Sequence, residues 1–328
     1  SKSKFFSQKD MVQTEVPMIN VALSGSLDGG ITPGLTMLAG PSKHFKSAFG
    51  LLLASSYLKK YKDAIVLFYD SEFGTPQKYF ETFDVDMNRV LHTPITSVEE
   101  LKIDIMNQLQ DISAEDKIGN LASKKEIDDS LDGKTVADMT RAKGIKSLFR
   151  MITPHLTIKD IPLVVVNHTY KEIGMFPKDI VGGGTGSYYS ADTIWFLGRQ
   201  QDKGKDGLQG YNFIINVEKS RYVKEKSKIP ITVSFNGGMQ KYSGLLDLAI
   251  EAKFVTKPSP GWYAKIDRKT GEVGAKVRLD ATQTQEFWYP ILEDKQFKTF
   301  VQEKYQIGYG NILNDETRTD DTKEFSIQ

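Results

Sequence analysis

Eight consecutive residues carry the most chemistry in this chain: Gly40-Pro41-Ser42-Lys43-His44-Phe45-Lys46-Ser47. They follow the apolar run Leu35-Thr36-Met37-Leu38-Ala39, which reads as a short buried strand. They lead into Ala48 to Leu58, which reads as a helix. In a strand–loop–helix unit of this kind, backbone N–H groups and the helix N-terminus cradle a polyphosphate. Lys46 then reaches the β- and γ-phosphates, and the Ser47 hydroxyl ligates Mg²⁺. Phe45 stands where the pattern places a second Gly, at a position whose backbone conformation a β-carbon resists. An ordinary turn with a chance Lys-Ser is the competing reading.

Two further polar groups belong at the same end of such a sheet. Ala64 to Tyr69 is a near-continuous apolar run, as strands buried on both faces are. It ends in Asp70-Ser71-Glu72. Open α/β sheets bind ligands beyond the carboxyl ends of their strands, so Glu72 reads as the base that positions an attacking water. A carboxylate stabilising a helix N-terminus is the alternative. Ile161 to Val166 is another buried strand, and Asn167-His168 follow it. His168 reads either as a sensor of bound phosphate or as a structural histidine.

The elements that must position these groups are legible in outline. Met18 to Leu23 reads as a strand, and Val90 to His92 as another. Ser97 to Ile112 reads as a helix opened by the capping box Ser97/Glu100. Val136 to Ile152 reads as a helix carrying Arg141, Lys143 and Lys146. Ala191 to Leu197 and Tyr211 to Val217, joined by a glycine- and charge-rich turn, form an antiparallel hairpin at the sheet edge. Ile231 to Phe235 closes the sheet. From Tyr242 the chain reads as a smaller unit: a helix over 244–253, a hairpin from Gly261-Trp262-Tyr263 turning at Asp267 to Gly271, and helix over 281–302 interrupted at Pro290. The division is a core over 1–240 and a small C-terminal α+β domain over 241–328. Ser1 to Gln13 reads as a linker or as the tail of a missing N-terminal element, and its Phe5-Phe6 packs on its own domain or on a neighbour.

One expected element is not written. A phosphate-loop ATPase needs a buried strand of ~5–6 apolar residues, ending in a Mg²⁺-associated Asp, before the second half of its core. Its place is between Lys117 and Ile118, where the chain passes straight into Gly119. Omitting a central strand strands backbone donors and acceptors. The chain therefore reads as interrupted there by missing residues or by a true deletion. Gly119 to Gly133, with Lys124 and Lys125, reads as a mobile loop. Tyr170 to Ser187, with Gly182-Gly183-Gly184-Thr185-Gly186, reads as a loop that orders around a ligand or as a plain flexible insertion.

Composition sets bounds. The 328 residues suffice for a large core and a smaller partner domain. The formal charge of +1 gives no global signature of a nucleic-acid binder, so any such charge must be local. There is no cysteine, hence no disulfide or thiolate chemistry, and no secretory apolar segment; a reducing cytoplasm is the default. No apolar run approaches ~18 residues, so no membrane helix is expected. Four histidines without metal-ligand spacing argue against structural zinc.

Several strings together resemble the RecA-like recombinases, in particular their bacteriophage branch. They are the phosphate loop itself, Phe68 to Gly74, Gly119 to Glu126, Asp138 to Lys143, Asn167 to Tyr170, Gly182 to Gly186 and Val217 to Arg221. The resemblance spans nearly the whole chain, and Phe45 fits the phage branch. It implies an α/β fold: a RecA-like phosphate-loop ATPase core with a mostly parallel sheet, helices on both faces and an antiparallel edge. It implies that Gly40 to Ser47 hold ATP and Mg²⁺, that Tyr79 stacks on the adenine, and that Glu72 activates the hydrolytic water. His168 would couple the γ-phosphate to the DNA loops. Lys124 and Lys125 would lie on the first DNA loop, and Gly182, Gly183, Gly184, Thr185 and Gly186 on the second. Lys219 and Arg221 would reach the ATP of a neighbouring subunit. The implied partners are single-stranded DNA, homologous duplex, further copies in a helical filament, a single-stranded-DNA-binding protein and a recombination mediator, in the cytoplasm of an infected bacterium. The family's N-terminal oligomerisation segment and acidic C-terminal tail look absent or truncated. Two alternatives stand beside this: a hexameric RecA-fold motor such as a replicative helicase, and a DNA-binding scaffold that holds ATP without turning it over.

Overall fold

The computed structural model describes residues 10–73, 75–111, 118–123, 135–171, 179–182, 185–204 and 207–308. Its elements in chain order are α1 (Pro17–Ser24), β1 (Gly34–Ala39), α2 (Lys46–Lys60), β2 (Ile65–Asp70), α3 (Gln77–Thr82), β3 (Val90–Pro94), α4 (Val98–Asp111), β4 (Ile118–Ser123), α5 (Thr135–Ile158), β5 (Pro162–Asn167), β6 (Thr169–Lys171), β7 (Asp179–Val181) and α6 (Thr185–Ser190). Then come β8 (Thr193–Gly204), β9 (Gly207–Lys219), β10 (Lys228–Ser234), β11 (Gly238–Met239), α7 (Leu245–Glu251), β12 (Val255–Ser259), β13 (Trp262–Lys265), β14 (Val277–Arg278), α8 (Gln285–Leu292) and α9 (Lys295–Tyr305).

Nine strands form one sheet in the order β11-β10-β9-β8-β1-β5-β4-β2-β3. The pairs from β8 through β1, β5, β4 and β2 to β3 are parallel, and β8 to β11 pair antiparallel. This is the mostly parallel sheet with an antiparallel edge read from the sequence. Successive residues of a central strand serve opposite faces. Leu35 and Met37 of β1, with Leu163 and Val165 of β5, pack against Ile105 and Leu109 of α4 and Ile145 to Leu156 of α5. Leu38 and Val164 join the other core with α1, α2 and the C-terminal helices. Both faces are covered, which explains why β1 and β5 read as unbroken apolar runs.

Several expectations need correction. Met18 to Leu23 is not a strand but lies in α1. A short apolar run that is buried all round has no periodicity to separate helix from strand. Here Pro17 starts a helix, and Gly25 stops it at φ 75. The stretch 170–187 is not one long loop: β6 and β7 form a small hairpin and α6 follows. The sheet closes on the two-residue β11 rather than on β10. Pro290 lies inside α8, and the helical run breaks instead at Asp294. The Asp294 side chain accepts from the N–H groups of Gln296 and Phe297 and so caps α9. The turn at Asp267 to Gly271 is present, but Trp262 pairs backwards with β12 as well as forwards with β14.

The largest correction concerns the expected strand. Ile118 to Ser123 does not begin a loop: it is β4, between β2 and β5 in the middle of the sheet. A gap there would leave two strand edges without partners, and this segment takes the position despite Gly119, Asn120 and Ser123. Its last residue, Ser123, is in register with Asp70 and Val166. A Mg²⁺-associated Asp is therefore not at this strand end. Lys124, Lys125, Gly183 and Gly184 lie outside the described residues.

Candidate active site

The phosphate loop sits where the sequence puts it, from the carboxyl end of β1 to the start of α2. Gly40 sits close against β8: a Cβ there would meet the Leu197 carbonyl at 3.0 Å, tighter than most real Cβ contacts. Its N–H donates to Asn167 O at 3.3 Å, tying the loop to β5. Phe45 adopts φ 63, ψ 17, the left-handed conformation that favours glycine. The cost is offset by contacts glycine cannot make. The ring stacks on Phe213 at 4.9 Å and meets Phe49 and Phe83 edge-on at 5.8 and 6.3 Å. Lys46 is 6% exposed, and its ammonium donates to the carbonyls of Gly40 at 2.9 Å and Pro41 at 2.7 Å. A buried cation held by two loop carbonyls is a ready partner for an anion.

A cleft of about 520 Å³ opens above this loop. Ser42 to Ser47 line it together with Glu72, Tyr79 and His168. Three separate strand ends, β1, β2 and β5, thus deliver their polar groups to one space. Glu72 is exposed, and its backbone N–H donates to Asp70 Oδ1 at 2.9 Å. Burial pushes the Asp70 carboxyl up. The N–H groups of Glu72 and Thr75 and the imidazole of His92 outweigh it and hold the group below the usual carboxylate range. Tyr79 is half-buried on α3, and burial pushes its phenol up.

The end of β5 links the cleft to the second glycine-rich segment. Asn167 is fully buried. Its Oδ1 accepts from the His168 N–H at 2.9 Å and its Nδ2 donates to Gly182 O at 2.8 Å, while Gly182 N–H returns to His168 O at 3.0 Å. Gly182 therefore closes on the strand end; Thr185 and Gly186 begin α6.

Lys219 and Arg221 are not in this cleft. β9 runs antiparallel to β8, so its carboxyl end lies beside the amino ends of β8 and β1. Lys219 donates to the carbonyls of Tyr188 and Tyr189. Arg221 pairs with Asp192 at 2.6 Å, and the other Asp192 oxygen accepts from Leu35 N–H at the start of β1. The six residues of β1 separate this pair from the phosphate loop by roughly 17–20 Å. Burial holds the Lys219 ammonium below the usual lysine range; Asp192 opposes that shift and Arg221 adds to it.

Sequence reasoning missed four cleft residues. Arg199 donates to Lys43 O at 3.1 Å and lies 4.7 Å over the ring of Tyr211. Phe213 and Phe235 complete that wall. The alternation Tyr211, Phe213, Ile215, Val217 was the available signal, because it puts both aromatics on one face. No signal in the sequence linked them to the phosphate loop.

The C-terminal part of the chain, residues 242–301, matches the family model for the C-terminal domain of the bacteriophage T4 recombination and repair protein. The recombination and repair protein of Enterobacteria phage T4 is 51% identical over 318 residues, covering 93% of this chain and 81% of that protein. RecA of Mycoplasma mycoides is 24% identical over 221 residues, covering 63% of this chain and 61% of RecA. The crystal structure of the RadB recombinase superposes with a TM-score of 0.53 at 15% identity, covering 70% of this chain and 98% of that one, and confirms the fold. A half-identical relative matched along most of both chains places this protein in the family of the phage T4 recombination and repair protein, alongside RecA.

Proposed function

We propose that this chain is an ATP-dependent DNA recombinase, which forms a helical filament on single-stranded DNA and pairs it with homologous duplex. One observation carries the reading: the phosphate loop, Glu72, Tyr79 and His168 share one cleft, while Lys219 and Arg221 lie at the opposite end of the same sheet. A site split between two ends of one molecule is completed when a second copy stacks on the first.

The cleft fits a nucleotide. Lys46 would exchange its carbonyl partners for phosphate oxygens, and the N–H groups at the start of α2 would complete the cradle. Tyr79 would stack on the base. Glu72 would orient the attacking water and take its proton. Lys219 and Arg221 from the next copy would stabilise charge on the transferred phosphoryl group, so turnover follows assembly. Ser47 offers Mg²⁺ one hydroxyl, and the nucleotide's own oxygens would supply other positions. The neighbouring strand ends in Ser123, in register with Asp70.

His168 would report the γ-phosphate through Asn167 to Gly182, and thence to the segment Gly182 to Gly186, which with Lys124 and Lys125 would hold the DNA backbone. Binding would be sequence-tolerant. A single-stranded-DNA-binding protein and a mediator would act with it in the host cytoplasm.

Ser123 favours a second reading, a nucleotide-binding DNA scaffold that does not turn ATP over. ATP hydrolysis measured with and without single-stranded DNA, across protein concentration, separates the two. Stimulation that rises cooperatively with protein supports the recombinase. A negligible rate with intact nucleotide and DNA binding supports the scaffold.

A further inference from the structure

The segment that carries Glu72 is under strain and needs an anchor. Phe73, the next residue, sits at φ 54 and is 62% exposed, so no packing of its own ring holds that conformation. The anchor is Asp70, which is fully buried. Its Oδ1 accepts from the Glu72 N–H at 2.9 Å, and its Oδ2 from the Thr75 N–H at 3.3 Å. Both contacts close the turn around Glu72.

A buried carboxylate needs a partner of its own. His92 supplies it from the next strand. β2 and β3 pair with Phe68 opposite His92, so Phe68, Asp70 and His92 share one face of the sheet. The His92 Nε2 lies 3.3 Å from Asp70 Oδ2. Its ring packs on Phe68 at 5.5 Å and on Phe80 of α3 at 6.4 Å, which fixes its direction. Its side chain keeps 36% exposure, so the contact runs from the surface of the edge strand to the buried carboxylate.

We propose that His92 is a positioning residue for phosphoryl transfer: it holds Asp70, and Asp70 holds the turn that aims Glu72 into the cleft. The role of Glu72 rests on the function proposed above, but the brace itself does not. His92 is not among the residues that line the cleft, and it acts through two successive hydrogen bonds. A purely structural histidine would contribute its ring packing and nothing else.

Two variants separate these roles. His92→Phe keeps the ring on Phe68 and Phe80 and removes the donor. His92→Gln restores a donor at comparable reach. Hydrogen exchange reads the brace without any activity: in His92→Phe the amides of Glu72 and Thr75 should exchange about tenfold faster, the size expected when one hydrogen bond to a charged group is lost. Amides of β1 should be unchanged, and His92→Gln should return most of the protection. Steady-state hydrolysis should then show kcat lower by about tenfold with KM for ATP within twofold, recovered by His92→Gln. Unchanged amide exchange in His92→Phe would overturn the proposal. So would a uniform loss of protection through β1, β2 and β5, which would make His92 a packing residue only. Faster local exchange with unaltered kcat would also overturn it, because the brace would then exist without serving the reaction.

Discussion

Replacing Phe45 by glycine restores the residue that a phosphate loop ordinarily carries, yet the structure predicts that it destabilises this protein. Two terms compete. The left-handed backbone at φ 63 costs a residue with a β-carbon about 1–2 kcal/mol, which glycine recovers in part, since glycine also raises the unfolded-chain entropy by about 0.4–1 kcal/mol. Against this, the half-buried ring loses about 1–1.5 kcal/mol of transfer free energy. It also loses a stacked pair with Phe213 and edge contacts with Phe49 and Phe83, together about 2 kcal/mol. Phe45→Gly should therefore lose about 2–3 kcal/mol. Phe45→Ala keeps the strain and loses the same ring, so it should be less stable than Phe45→Gly by about 0.5–1 kcal/mol. Urea unfolding of the three proteins, with nucleotide binding followed in parallel, measures both differences. Affinity should change little, because Lys46 and the loop N–H groups remain. A glycine variant as stable as the parent would refute the aromatic compensation. An alanine variant more stable than the glycine one would refute the backbone strain.

Lys46→Ala should abolish nucleotide binding, since the loop then keeps its N–H donors but loses its buried cation; equilibrium titration with a fluorescent ATP analogue at parental affinity would sink that assignment. Arg221→Ala should bind ATP normally and lose DNA-stimulated turnover, and mixing it with Lys46→Ala protein should restore some activity if the sites are completed between copies. Ser123→Asp places a carboxylate in register with Asp70 and should raise Mg²⁺-dependent hydrolysis about tenfold; an unchanged rate would put that strand end beyond the metal's reach. The Asp70 carboxyl titrates below its unfolded value, so its hydrogen bonds stabilise the fold above about pH 4 and are lost as the pH falls through the folded value. Acid unfolding of Asp70→Asn should then lack a stability loss that the parent shows below pH 4; superimposable pH profiles would count against it.

The phosphate loop, the β8–β9 hairpin and the polar strand ends were legible because each is a local rule. A strand period, a turn or a helix start can be read within about ten residues. The cleft was only half legible. Glu72 and His168 announce themselves at the ends of apolar runs, but Arg199 and Phe213 enter through the register of the β8–β9 hairpin, and Phe235 follows β10. Phe45 shows the same limit from the other direction. As a departure from the glycine pattern it looks like a defect, and only the three rings around it explain why it is tolerated.

Failures of the sequence reading concentrate where burial overrides pattern. α1 is buried on every side, so its six apolar-rich residues carried no period, and Pro17 and Gly25 were the better guides. β4 is the opposite case. Nothing in Ile118-Gly119-Asn120-Leu121-Ala122-Ser123 resembles the apolar runs of β1, β2 or β5, and by composition it belongs in a loop. It is a strand because the sheet on either side presents two open edges, and pairing a poor strand costs less than leaving a row of N–H and C=O groups unsatisfied in a protein core. The chemistry then follows the backbone. The residue that ends that strand, Ser123, stands in register with Asp70 and Val166, where an Asp was expected. On the proposed function, that register position is where an introduced carboxylate would show its effect on Mg²⁺-dependent hydrolysis.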